Sequence, residues 1–196
     1  MDSVLTSKDI EDFWIRVYLG ANKDLIESAI DRAYLDFNRT LHGVAKLKTA
    51  ESSTRLKDVV RNIVTLAMEK KFTSQHEFDE WHESCCDYLI DACKEATTHN
   101  MFYGQTQKWI NMSFKYMFAL GKQRLPGIDL NYQYFHVPID NIIQKILKLE
   151  NIKPFKISWS RINSYENYLD YQKQIRLKFS NRIPLDVEFL LFNKSK

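Results

Sequence analysis

Glycine and proline are scarce, 5 and 4 among 196 residues. A β-sandwich or barrel needs many tight turns, so this scarcity disfavours all-β folds and points to long helices. The glycines, Gly20, Gly43, Gly104, Gly121 and Gly127, lie far apart. No phosphate-cradling glycine-rich loop can be written from them, which removes P-loop and dinucleotide-binding readings. Cysteine is rare too: Cys85, Cys86 and Cys93 are an odd number on one expected helix, unlike a secreted disulfide framework. No apolar run approaches the length that spans a bilayer. The start, MDSVLTSKDIEDFW, lacks the basic region and apolar core of a signal peptide, so we expect a cytoplasmic protein without a membrane partner.

What is present is ordinary globular material, 44% hydrophobic and 27% charged. Charge is unevenly placed. Residues 1–98 carry 13 basic against 18 acidic side chains, and residues 99–196 carry 15 against 7. Such a basic half often marks a side that faces a polyanion, although solvated helix faces produce it as well. Apolar residues recur at helical spacing almost throughout. Ile10, Phe13, Trp14, Val17 and Tyr18 form one stripe, with Ser7 as N-cap and Gly20 as stop. Leu25–Phe37, Leu56–Ala67 and Phe78–Ala96 carry the next three. Further helices are predicted at 105–121, 138–149, 164–180 and 185–192, with 122–137 and 150–163 irregular. The expectation is one all-α unit over 1–196 of about eight helices, with room for two lobes and a cleft between them.

His76, His82, Cys85, Cys86, Cys93 and His99 are metal-ligand types, but no CxxC or HxxxH spacing joins them. They read as core packing; we expect no metal and no cofactor. No Ser-His-Asp or Cys-His signature is present. The most informative segment is GQTQKWINMSFKYMFALGKQR, Gly104–Arg124. At 100° per residue, Ile110, Ser113, Met117 and Leu120 centre one face, while Lys108, Asn111, Lys115 and Lys122 line the other. A lysine and asparagine stripe of this kind is ordinarily a solvated surface. Here it follows a polar turn at Gly104, whose free N–H groups can hold a phosphate, and precedes an aromatic-rich stretch that ends in a carboxylate.

These strings resemble the helix-hairpin-helix DNA glycosylases. HVPIDNII (His136–Ile143) resembles the segment where a proline and an apolar residue precede the catalytic aspartate at a helix start. GQTQKW resembles the turn and helix that carry the catalytic lysine. Lys108 and Asp140 lie 32 residues apart, a spacing similar to that of the archaeal 8-oxoguanine glycosylase type. RIPLDVEFLLFN places Asp186 where that type has a carboxylate on the damaged base. The chain departs from the family in two places: the LPGID of Leu125–Asp129 follows the lysine helix rather than preceding it, and Leu190 stands where an aromatic is usual.

The resemblance implies a DNA base-excision glycosylase with Schiff-base lyase activity, acting on duplex DNA that carries an oxidised base. Lys108 would attack the sugar C1′, and Asp140 would accept its proton or stabilise the cationic sugar. Lys115 would add neighbouring positive charge. The target nucleotide must leave the stack; Phe37, Tyr103, Trp109, Phe135 and Trp159 are candidates to pack against it, and Gln107 and Asp186 to bond it. As a capping carboxylate, Asp186 has an equally simple reading. Gly104, Lys145, Lys148 and Arg161, with Lys153 and Lys156, would meet backbone phosphates. The rival class is a non-catalytic module, either a DNA-binding relic of such an enzyme or a protein-interaction domain, for example in a bacterial defence or stress system.

Overall fold

A computed structural model describes residues 5–20, 24–41, 50–97 and 99–194. Among these residues eight α-helices and short 3-10 turns form the chain, and no strand is present: α1 Ser7–Leu19, α2 Leu25–Phe37, α3 Ala50–Glu69, α4 Gln75–Thr97, α5 Tyr103–Leu120, α6 Asn141–Leu149, α7 Tyr165–Lys178 and α8 Pro184–Lys194. The irregular stretches fall where expected, and FKISWSRI forms a 3-10 turn at Trp159–Arg161.

The apolar stripes of α2 and α3 are buried as their spacing dictates. Ala29, Ile30, Ala33 and Phe37 join Leu56, Val59, Val60, Ile63, Val64 and Ala67 in one contiguous core that also takes residues of α4 to α8. The helix α5 runs through the middle. It packs most extensively along α2 and also touches α3, α4, α7 and the Trp159–Arg161 turn.

At α1 the outcome differs. Ile10, Phe13, Trp14, Val17 and Tyr18 are all exposed, and the helix has no buried residue. It rests on the body through half-buried Ile15 and Leu19 and through Arg124, which bonds Glu11 and Asp12 at 3.0 and 3.1 Å. Its N-cap is Thr6 rather than Ser7, in a reciprocal capping box with Asp9. No helix among the described residues is long and apolar enough to cross a membrane.

Candidate functional site

The helix α5 inverts the amphipathic expectation. Its lysine and asparagine face is buried as deeply as its apolar face: Lys108, Asn111 and Lys115 are 3%, 1% and 7% exposed. Only Lys122, beyond the helix end, reaches solvent, where it lies 3.1 Å from Asp129. A buried ammonium is costly unless a counter-charge and hydrogen bonds meet it. Both lysines have that partner. Lys108 Nζ donates to Asp140 Oδ2 at 2.6 Å, and Lys115 Nζ lies 2.7 Å from both carboxylate oxygens of Glu188. The two pairs sit seven residues apart along α5, so they share one face of the helix.

Sequence-local devices fix Asp140. Pro138 does not open a helix; residues 135–140 form no regular element, and Asp140 is the N-cap of α6, its Oδ1 accepting the Ile143 N–H at 2.9 Å. Two buried glutamine amides grip the approach. Gln107 of α5 accepts the Ile139 N–H at 3.2 Å and donates to the Ile139 carbonyl at 2.9 Å. Gln172 of α7 does the same to Val137, at 3.1 and 2.7 Å. Each amide thus imitates a strand neighbour and satisfies backbone groups that have no sheet to join.

Both pairs line a cleft of about 550 Å³. Its floor is α5, one wall is α1 and α2, and the other is α6 and α8, with Met112, Ile143, Phe189 and Phe192 supplying apolar surface. Lys115 Nζ also lies over the rings of Phe189 and Phe192, 5.1 and 4.6 Å from their centroids. At the rim, Tyr116 donates to Asp36 at 2.6 Å, and Arg32 stacks 4.3 Å from the Tyr18 ring.

The two carboxylates are tuned in opposite directions. Burial pushes Asp140 up, but the Lys108 charge and hydrogen bond, with backbone N–H groups of α6, outweigh it and hold the carboxyl below its ordinary range. For Glu188 burial prevails over Lys115 and Lys108, and its carboxyl is raised. One cleft therefore holds two buried, lysine-paired carboxylates whose surroundings act on them in opposite directions.

Several expected site residues lie elsewhere. Phe37 and Trp109 are fully buried core: their rings pack 5.3 Å apart beside Tyr34, and Trp109 Nε1 donates to the Ile30 carbonyl. Neither has a face free for a base. Phe135 and Trp159 are buried as well, and half-buried Tyr103 donates to Asp87. Gln107 is buried beneath the cleft and bonds backbone rather than facing it. The Gly104 N–H is spent on the Ile162 carbonyl at 3.2 Å, so the turn holds no open anion cradle. Gly104 serves close packing instead, since a Cβ there would stand 1.8 Å from the Trp159 carbonyl oxygen.

Asp186 faces away from the cleft and accepts from the Tyr132 hydroxyl in the first turn of α8. The late carboxylate in the cleft is Glu188, two residues on; its signal was a lone carboxylate inside the apolar run VEFLLF. Lys145, Lys148 and Arg161 are exposed. The cysteines are buried and free, and among the described residues no group of His, Cys, Asp and Glu is placed to hold a metal ion. Comparison with family models, curated proteins and solved structures finds no match for this chain.

Proposed function

We propose that the cleft is a base-excision site: the protein is a DNA glycosylase with associated lyase activity, Lys108 its nucleophile and Asp140 its partner. The observation that carries this reading is the 2.6 Å contact of the Lys108 amine and the Asp140 carboxylate in a cleft of about 550 Å³. The cleft is large enough for an extruded base.

The chemistry follows from these groups. Lys108 yields its proton to reach the attacking form, and Asp140, in hydrogen-bond contact, is the acceptor in place. The amine nitrogen bonds C1′ as the C1′–base bond breaks; the electron pair of that bond leaves with the base, which takes up the proton that Asp140 accepted, so that the carboxylate is ionised again. Positive charge that develops on the sugar falls beside Asp140, whose ionised state its surroundings favour. Opening of the sugar ring converts the adduct to a Schiff base, from which loss of the C2′ proton expels the 3′ phosphate. Asp140→Asn keeps the cap but removes the charge; release of 8-oxoguanine from a duplex oligonucleotide should fall about 10²–10⁴-fold. Release at the wild-type rate would sink this assignment.

A second reading, a protein-interaction module, draws on α1, which presents Ile10, Phe13, Trp14 and Val17 to solvent. It calls for no salt-dependent binding of nucleic acid, which an anisotropy titration separates from the first.

A further inference from the structure

Beside the cleft lies a second groove of about 500 Å³. The two share Asp36, Arg39, Asp140 and Ile142, so they meet at the Asp140 carboxylate. Their chemistry differs: besides Trp159, the second groove is lined by Arg39, Thr40, Asn141, Ser158, Ser160 and Arg161. Arg55, Arg61, Arg124 and Arg176 each meet a carboxylate. Arg39 and Arg161, like Arg16, Arg32 and Arg182, meet none among the described residues, and of these only Arg39 and Arg161 line this groove; Arg161 lies over the Phe102 ring, 5.1 Å from its centroid. The two carboxylates on the groove are already engaged, Asp36 by Tyr116 and Asp140 by Lys108 and the Ile143 N–H. Two guanidinium charges are therefore left without a carboxylate partner in a groove that opens onto the proposed reaction centre.

We propose that this groove is a phosphate subsite, in which Arg39 and Arg161 hold the phosphate ester of the nucleotide whose base enters the neighbouring cleft. The inference rests on the reading of that cleft as a nucleobase site. A nucleotide joins an apolar, planar base to a phosphate through a sugar, and the surface offers that order: a cleft with apolar surface and Lys108, the shared Asp140, then a groove that carries Arg39 and Arg161. The planar guanidinium fork matches phosphate oxygens two at a time, which a lysine ammonium does not. The ester can belong to a polynucleotide strand or to a free nucleotide, and binding separates the two.

Full-length protein would be titrated with a fluorescein-labelled duplex oligonucleotide at several salt concentrations, and separately with adenosine 5′-monophosphate and adenosine. Wild type would be compared with Arg39→Gln, Arg161→Gln and the double variant; both side chains are exposed, and thermal melts check the fold. The slope of log affinity against log salt should fall by about one for each arginine removed. If the duplex does not bind but the monophosphate binds more tightly than adenosine, and the double variant abolishes that difference, the subsite stands with a free nucleotide as its source. Binding that is indifferent to both arginines, or no binding of any of these probes, overturns it. The titration involves no bond cleavage and runs equally on Lys108→Gln, so a failure of base release and a failure of this subsite are read separately.

Discussion

Lysine side chains are almost never fully buried unless paired, and α5 carries two such lysines on one face. Their carboxylate partners differ in a way that can be measured residue by residue. In a carboxyl-detected NMR titration, Glu188 should take its proton at a pH above 4.5 and Asp140 only below 3.8, because burial prevails at the first and Lys108 with the α6 N–H groups at the second. A reversed order would mean that the pairs are not coupled to the lysines as their geometry indicates. Gly104 offers a second test at this scale. An added methyl would meet the Trp159 backbone carbonyl rather than a side chain that can swing away. Gly104→Ala should therefore cost about 3 kcal/mol in urea unfolding, at the upper end for overpacking.

Two glutamine amides hold the irregular stretch before α6, whereas α1 has no buried residue. Gln172→Ala strips the Val137 N–H and carbonyl of their partners in a buried place, each worth about 1–3 kcal/mol when left unsatisfied. The variant should lose stability and also place Asp140 less well, so base release should fall further than the lost folded fraction accounts for. Equal losses would confine Gln172 to a structural role. In native-state hydrogen exchange the amides of α1 should exchange well before those of α5, since α1 buries no side chain and α5 buries most of its own.

The contrast between these two helices also shows how far the sequence was legible. Periodicity located all eight helices, because the spacing of apolar residues directly reports a face. It could not say which face meets the core once an element has neighbours on several sides. The Ile10–Tyr18 stripe looked like core and stands in solvent; the Lys108–Lys115 stripe looked like surface and is buried. The Lys108 and Asp140 pair was legible through short strings around each residue. Glu188 was not, because its partnership with Lys115 spans 73 residues and has no local spacing.

Across the whole molecule a buried polar network ties α4, α5 and α7 together behind the site. His82 bonds Asn111 and Tyr165, and His136 bonds Tyr168 and Asp79, which Arg176 grips at 2.8 Å. Burial lowers both histidines, outweighing the Asn111 bond at His82 and the Asp79 bond and charge at His136, so the folded state resists the protons that the unfolded chain accepts. Stability should therefore be full above about pH 6.5 and fall as pH drops below it, by up to about 1.4 kcal/mol per pH unit for each histidine. Asp79 adds a second, more acidic window. Burial would raise its carboxyl, but bonds to His136, Arg176 and Gln75 hold it at about 2, so its contribution is present above 3.8 and lost toward pH 2. Urea denaturation from pH 2 to 8 reads both windows, and a flat profile between pH 4 and 6.5 would contradict the neutral histidine pair.

Lys108 is proposed as a nucleophile rather than a structural cation. Borohydride trapping on duplex oligonucleotides with an abasic site or 8-oxoguanine addresses it directly, comparing wild type with Lys108→Gln and with Lys108→Gln/Asp140→Asn, which removes both charges and spares the fold an unpaired one. The account predicts a covalent protein–DNA adduct for wild type and none for either variant, with all three proteins folded. No adduct from folded wild type, or an adduct that persists without Lys108, would contradict it.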